Sequence, residues 1–393
     1  MSLPEERLAG YCPDDRQGEL SIYLHVPFCR SRCSYCDFFL VTRLDHVEAF
    51  FKALAVETAT AEPLLRNRTV KAVHFGGGTP SLVPVSFLGH WLEQLLSLSG
   101  GPANCMEVTL EANPEDLDAR NMQQLRSIGI NRISLGIQSY RQRKIEALGR
   151  KHTAGDAIRV SAAALRWFDT VSADLICGVP DESIGEWRAD LQTALTVGLP
   201  HLSVYMLSVE PRTVLERRIA EGLSSVPAEQ LQASMYACAA DLLRAAGYCH
   251  YEVSNFAFPG HHSRYNLACW MREPYLGFGP SAHSFTGFNG REKRKANVAS
   301  LFRYLANPAG CTAFEEFLSD DERFIEQVFL SLRVNQGLGV EFLRKRDKLG
   351  LNLSAMLAEF VSKEWILIEN DVLFLTPKGF LFADYIAGEL ISG

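Results

Sequence analysis

The chain has 393 residues, 47% of them hydrophobic and 22% charged, with a formal net charge of −7. That length suggests two domains or three with a real core, in an ordinary globular composition, and the acidic balance argues against a dedicated nucleic-acid binder, which needs a concentrated positive surface. No uninterrupted apolar run reaches the length of a membrane span, and the first twenty residues lack the basic-then-apolar order of a signal peptide, so a cytoplasmic protein is expected.

After an N-terminal segment (1–20), the stretch from about 21 to 250 alternates short β-branched runs with longer helical patterns. Strands are predicted at 21–26, 70–75, 105–111, 131–137, 171–177 and 202–208, and helices at 44–61, 84–98, 115–128, 154–167 and 183–197. Such alternation implies a parallel sheet with right-handed crossovers. Within each strand one face is apolar and the other polar or small. Ile22, Leu24 and Val26 oppose Ser21, Tyr23 and His25; Val108 and Leu110 oppose Thr109 and Glu111. Ile133, Leu135 and Ile137 oppose Ser134, Gly136 and Gln138; Val171, Ala173 and Leu175 oppose Ser172 and Asp174. Leu202, Val204 and Met206 oppose Ser203 and Tyr205. A closed eight-stranded barrel fills its interior with Val, Ile and Leu, and a flat doubly wound sheet would read apolar on both faces. The expected α/β fold is therefore an incomplete (β/α)6 barrel, open, with a wet ligand chamber.

The first strand runs into His25-Val26-Pro27-Phe28-Cys29-Arg30-Ser31-Arg32-Cys33-Ser34-Tyr35-Cys36-Asp37-Phe38, a CxxxCxxC spacing. The other seven of the ten cysteines are scattered singly (12, 105, 177, 238, 249, 269 and 311) and suit small buried residues. Clustered cysteines without secretory signals point to metal or redox chemistry. A zinc site needs four ligands, usually as paired CxxC units, and no second pair follows. Three thiolates suit a [4Fe-4S] cubane with one iron left open to a chelating cosubstrate.

The loop resembles that of the radical S-adenosylmethionine (SAM) superfamily. The resemblance implies that Cys29, Cys33 and Cys36 hold the cluster, and that the methionine amine and carboxylate of SAM chelate the open iron. It further implies that one electron from the cluster cleaves the S–C5′ bond to give a 5′-deoxyadenosyl radical. Tyr35 matches the aromatic position beside the adenine. Phe75-Gly76-Gly77-Gly78-Thr79-Pro80 matches the glycine run whose backbone receives the methionine amine. Glu111 and Gln138, ending the third and fourth strands, are expected to hold ribose hydroxyls, and Arg150 the methionine carboxylate. Asp174 in the fifth strand and Tyr23 in the first complete the expected cofactor contacts. Ligands of such barrels bind at the carboxyl ends of the strands.

The resemblance narrows further. Tyr23-Leu24-His25-Val26-Pro27-Phe28-Cys29, Gly76-Gly77-Gly78-Thr79-Pro80-Ser81, Glu111-Ala112-Asn113-Pro114, Gly136-Ile137-Gln138-Ser139 and Asp174-Leu175-Ile176 are similar to a family with two branches. These are the oxygen-independent coproporphyrinogen III oxidases and the HemW-like haem chaperones. Tyr251-Glu252-Val253-Ser254-Asn255-Phe256-Ala257 and Tyr275-Leu276-Gly277-Phe278-Gly279 carry the similarity further. The oxidase has another cysteine two residues after the third ligand, where Phe38 stands here, and a longer amino-terminal extension before its first strand. Both favour the HemW-like branch, which implies haem binding and delivery to apo-haemoproteins, with a separate reductant. A porphyrinogen-modifying enzyme, or one acting on an unrelated substrate, is the alternative. HemW-like proteins carry a His-Asn-x-x-Tyr-Trp motif associated with haem, and the matching stretch here is Tyr265-Asn266-Leu267-Ala268-Cys269-Trp270. Tyr265 and Cys269 are both capable of ligating haem, His261 and His262 lie close by, and loss of haem binding is the competing reading.

The barrel and its extension are assigned to 21–285, a connecting segment to 286–320 and a C-terminal domain to 321–393. The last has predicted helices at 321–333, 339–347 and 353–363, two strands (365–369, 372–376) joined by an Asn370-Asp371 hairpin turn, and a final helix from 377. This resembles a winged helix. The third helix offers Lys363 beside Glu359 and Glu364, and the run Arg344, Lys345, Arg346 and Lys348 belongs to the preceding helix, so DNA binding is not expected. Arg291, Lys293, Arg294 and Lys295 are expected to form a solvated loop able to meet haem or porphyrin propionates.

Overall fold

A computed structural model describes residues 18–226, 228–288, 291–344 and 353–392. Cys12, Lys345, Arg346 and Lys348, and most of the N-terminal segment, lie outside the described residues. Six strands follow one another in parallel: β1 (Glu19–Val26), β2 (Thr69–Gly77), β3 (Pro102–Ala112), β4 (Arg132–Gln138), β5 (Thr170–Cys177) and β6 (His201–Met206). Between them run α1 (Val47–Thr60) and α2 (Glu62–Leu65), α3 (Val85–Leu98), α4 (Ala119–Ser127), α5 (Gln142–Ala147) and α6 (Ala154–Ala164), and α7 (Ile184–Val197). Local sequence explains the helix ends. Thr153 with Asp156 and Ser183 with Glu186 form reciprocal capping boxes on α6 and α7, and α7 stops at Gly198 in the left-handed region.

The apolar strand faces pack outward on these helices. Ile22, Leu24, Phe75, Leu110, Ile133 and Val171 lie in one core with Phe50, Leu54, Trp91 and Trp187. Trp187 is fully buried and donates its indole N–H to the Met235 carbonyl at 2.8 Å, so its one polar atom is satisfied. The inner faces are polar, as expected: Ser21, Thr109, Ser172 and Ser203 are almost inaccessible yet point away from the apolar layer.

Beyond β6 come α8 (Val214–Ala220), α9 (Glu229–Ala245), β7 (Cys249–Glu252), β8 (Asn255–Ala257), α10 (Arg264–Trp270) and β9 (Tyr275–Phe278). Then follow β10 (His283–Phe288), β11 (Arg291–Asn297), α11 (Leu301–Ala306) and β12 (Thr312–Phe317). The strand order is β12-β11-β10-β9-β1-β2-β3-β4-β5-β6-β8-β7, a twelve-stranded sheet left open between its flanks. β9 is parallel to β1, while β10, β11 and β12 continue antiparallel. β10, β11 and β12 thus belong to the main sheet, where a connecting segment over 286–320 was expected. The basic run is strand β11, where a solvated loop was expected. Its charges fall on both faces of the strand, so the run has no apolar face to mark it as a strand.

The C-terminal unit contains α12 (Asp320–Ser331), β13 (Leu338–Gly339), α13 (Val340–Arg344), α14 (Leu353–Ser362), β14 (Ile366–Glu369), β15 (Val372–Leu375), α15 (Pro377–Phe380) and α16 (Ala383–Ser392). β14 and β15 form the expected hairpin, with Asn370 and Asp371 both at positive φ as a type I′ turn requires. Its core includes Val328, Leu332, Phe360 and Ile386, and takes in Tyr236 of α9. The unit joins the β7 flank through Val253 N–H to Arg333 O (2.9 Å) and Asn335 N–H to Tyr251 O (3.0 Å). From there α12 reaches across to β11 on the opposite flank, where Glu326 meets Arg294.

Candidate cofactor chamber and lateral cleft

The cysteine loop leaves the carboxyl end of β1 and is pinned at several points. Cys29 N–H donates to Val41 O (3.0 Å), and Val41 N–H returns to Pro27 O (2.7 Å). Ser34 ties the loop to the end of α5 and the start of α8, through Ser34 N–H to Leu148 O (3.4 Å) and Leu215 N–H to Ser34 O (2.8 Å). Arg32 donates to the carbonyls of Cys36 (3.0 Å) and Phe38 (3.2 Å), curling the loop around its own cysteines.

Cys29, Cys33 and Cys36 all line one chamber of about 540 Å³ at the carboxyl ends of the strands, with Tyr35, Gly77, Gly78, Thr79, Glu111, Gln138, Arg150 and Asp174 on the same wall. Phe38, the departure from the oxidase pattern, is 62% exposed at the rim. Gly76 sits just behind, where an added Cβ would lie 2.8 Å from the Glu111 carboxylate. Gly77 has φ +101°, and a Cβ on Gly78 would meet the carbonyls of Phe28 and Val26 at 2.7 and 2.8 Å. Only glycine lets this backbone lie against the cysteine loop.

Tyr23 is not on the chamber wall. Its ring stacks on Tyr265 and His74 (centroids 5.9 and 6.0 Å), and its hydroxyl meets His25 Nδ1 at 3.2 Å. Tyr23 shares the inner face of β1 and stands two residues nearer the strand's start than the level of Glu111.

The polar wall is engaged in identifiable bonds. Glu111 accepts from Gly77 N–H (3.2 Å) and meets His74 Nε2 at 2.9 Å. Arg150 donates to Gly136 O (2.7 Å), to Asn113 Oδ1 and toward Cys33 Sγ (3.5 Å). Asp174 accepts from Ser134 (3.1 Å), and burial pushes its carboxyl up to about 6 despite that bond and the Ser203 hydroxyl. Gln138 takes φ +63°, and the next residues are held by a buried charge cluster. There Asp190 accepts from Ser139 Oγ (2.7 Å), Tyr140 N–H (2.8 Å) and Lys144 Nζ (2.7 Å), while Lys144 also donates to Glu182. Sequence reasoning passed over Asn113, His74 and this cluster. Asn113 stands within the quoted Glu-Ala-Asn-Pro motif; the other contacts are long-range and leave no local signal.

The donor set fits a polynuclear group. The three thiols line one wall of the chamber, a donor set that can give one thiolate to each of three irons. Arg150 brings a cation beside Cys33, and its buried Nε has no protein partner, a donor left for an anionic ligand. Cys29 accepts or donates with Thr79 Oγ1 at 3.2 Å, and burial pushes its thiol up to about 11, so loading a metal there releases a proton.

A second cavity, about 380 Å³, opens in the gap between the sheet's flanks and meets the chamber at Tyr205, which lines both. Tyr265, Asn266, Cys269 and Trp270 of α10 form its floor, Glu252 and Asn255 one side, and Tyr275, Phe285 and Arg294 the other. Burial pushes the Tyr265 phenol well above its ordinary range, and Cys269, hydrogen-bonded to it, up to about 12. Neither is a ready anion. His261 and His262 are not at this cleft. His261 Nδ1 bonds Thr170 Oγ1 (2.8 Å) and its carbonyl takes Arg132 (2.9 Å), at the amino-terminal ends of β5 and β4. Burial beside Arg132 pushes His262 down to about 4. The chain reverses direction before α10, so proximity in sequence to Tyr265 did not become proximity to the cleft.

Comparison with known proteins places this geometry. The Radical SAM superfamily model matches residues 23–194. The haem chaperone HemW of Bacillus subtilis is 30% identical over 95% of this chain and 99% of its own length. That of Mycobacterium tuberculosis is 35% identical over 98% of each. The structure of coproporphyrinogen III oxidase (HemN) from Escherichia coli superposes with a TM-score of 0.80, covering 95% of this chain and 90% of that one at 21% identity, a likeness of fold. With nearly the whole chain aligned at these identities, the chain belongs to the radical SAM superfamily and, within it, to the HemW family.

Proposed function

We propose that this protein is a haem chaperone that holds haem in the lateral cleft and passes it to apo-haemoproteins, with a [4Fe-4S] cluster and SAM in the adjoining chamber. Membership of the superfamily implies that cluster, SAM and a reductant. Cys29, Cys33 and Cys36 would hold the cluster; when bound it supplies an electron for reductive cleavage of the SAM sulfonium. The chain's own residues bind and orient. Arg150 and the Gly76–Thr79 backbone receive the methionine end, Glu111 and Gln138 the ribose, Tyr35 the adenine, and Asp174 closes the far wall. The thiols must stay reduced, which suits the cytoplasm, and no described helix is long and apolar enough to cross a membrane.

One observation carries the haem assignment. The stretch matching the family's haem motif, Tyr265–Trp270, floors a cavity that adjoins the cofactor chamber through Tyr205. That same continuity favours the second reading, a radical enzyme acting on a porphyrinogen, because a substrate in the cleft would face the chamber. Haem titration of the anaerobically reconstituted protein, beside a coproporphyrinogen III decarboxylation assay, separates the two. Saturable haem binding followed by transfer to an apo-haemoprotein is expected. Conversion to protoporphyrinogen would overturn the chaperone assignment. Tyr265→Phe and Cys269→Ser then report which side chain reaches the iron, by a shift of the Soret band.

A further inference from the structure

The cleft carries two guanidinium groups that haem ligation through Tyr265 or Cys269 does not use. Arg272 follows α10 in the left-handed region (φ +56°), its guanidinium 5.3 Å from the centre of the Phe285 ring. Arg294 of β11 lines the same cavity. Both converge on one carboxylate, Glu326 of α12: Arg272 Nε donates to Oε2 at 2.9 Å, and Arg294 pairs with Oε1. Arg272 also pairs with Glu292. The Arg272 and Glu326 side chains are only 8% and 12% exposed, while Arg294 is 43% exposed, so a desolvated pair on the wall of the cavity is met by a second guanidinium at its solvent edge.

A desolvated guanidinium must keep a carboxylate partner, because leaving it unpaired costs far more than exchanging one partner for another. Guanidinium forks also match carboxylates in geometry, two bonds to one group. A ligand bringing its own carboxylates can thus replace Glu326 on the guanidinium groups, the displaced Glu326 turning to water or taking up a proton, while its body gains contact with Trp270, Tyr275 and Phe285. A ligand without them must leave the cluster intact and forgo that end of the cleft. Resting on the haem reading of this cavity, the geometry points to a site for a flat macrocycle with two carboxylates, which compete with Glu326 for Arg272 and Arg294. Glu326 is then the internal stand-in for the ligand's acid groups.

Metal-free deuteroporphyrin IX and its dimethyl ester test this on the full-length wild-type protein, because neither contains iron and axial ligation plays no part. Quenching of tryptophan fluorescence should report the diacid binding roughly tenfold or more tighter than the diester. Arg272→Met and Arg294→Met should each weaken the diacid alone, and Glu326→Gln should tighten it by removing the competitor. Equal binding of diacid and diester, with Glu326→Gln silent, overturns the inference while leaving haem chaperoning intact. Arginine-dependent diacid binding without haem transfer to an apo-haemoprotein leaves the inference standing and removes the chaperone function. No binding of either porphyrin or of haem removes both.

Discussion

Lys144 is the side chain whose loss tests most sharply how the cofactor chamber is held. Its ammonium is fully buried, donates to Asp190 (2.7 Å) and Glu182, and lies 5.1 Å from the centre of the Trp187 ring. Lys144→Met keeps the aliphatic volume, leaves the buried Glu182 without its cation and leaves Asp190 only the more distant Arg141 Nε at 3.8 Å. Removing one partner of a buried ion pair costs about 3–5 kcal/mol. Here Ser139 Oγ and Tyr140 N–H remain on Asp190, and Val179 N–H (3.0 Å) on Glu182, so the expected loss lies near the lower end, about 3 kcal/mol. Chemical denaturation followed by tryptophan fluorescence measures it. The sign with pH follows from the same cause. Burial already raises the Glu182 carboxyl, and without Lys144 it rises further, so the folded variant takes up protons at a pH where the unfolded chain has none bound. The deficit should therefore shrink as pH falls from 7 toward 5. Because Asp190 anchors Ser139 and Tyr140 next to Gln138, SAM affinity should drop while iron loading on the cysteine loop stays whole. Adding Glu182→Gln and Asp190→Asn to Lys144→Met should recover much of the stability. A Lys144→Met protein within 1 kcal/mol of wild type at pH 7, a limit set by what an ordinary surface change costs, would refute the assignment of this cluster as the support of the β4 turn.

Replacing Cys29, Cys33 or Cys36 by Ala should each abolish iron loading on anaerobic reconstitution, whereas Cys177→Ala should load about four irons like wild type; tight zinc without iron-dependent absorbance would sink the cluster. Glu111→Ala and Arg150→Ala should each weaken SAM binding, measured calorimetrically, by a charge-assisted contact of about 1.5–3 kcal/mol, roughly tenfold or more, and Gln138→Ala by a neutral contact of about 0.5–1.5 kcal/mol; unchanged affinity in all three would remove the proposed contacts. Asp174, raised to about 6 by burial among Ser203, Ser134, Glu111 and His74, holds its proton in the folded state above the pH where the unfolded chain loses it. Its contribution therefore makes stability fall as pH rises from about 4 to about 6 and level off above; Asp174→Asn should flatten that slope in a pH series of melts, and an unaltered slope would show that its carboxyl is not the group responsible.

Much of this protein is written locally. Strand faces alternate with period two, so the apolar outer layer and the polar inner face of β1 and β3 to β6 are legible residue by residue, and with them the open barrel; Met206, read as apolar-facing, is 39% exposed and lines the chamber. The CxxxCxxC loop, the glycine run and the Asn370-Asp371 turn are contiguous, and their geometry follows from the residue types themselves. The sequence did not disclose features made by distant segments. β11 read as a loop because its charges alternate over two faces, and pairing with β10 and β12 is what makes it a strand. Tyr23 and Glu111 share the inner surface, but strand register sets which of them stands at ligand height. Asp190 reaches Ser139 across fifty residues, and Glu326 reaches Arg294 from a separate unit. His261 and Tyr265 stand four apart in the chain and at different places in the barrel. Periodicity and short motifs encode what one element does on its own backbone; which elements face one another depends on closure of the whole sheet, and only the tertiary structure decided that.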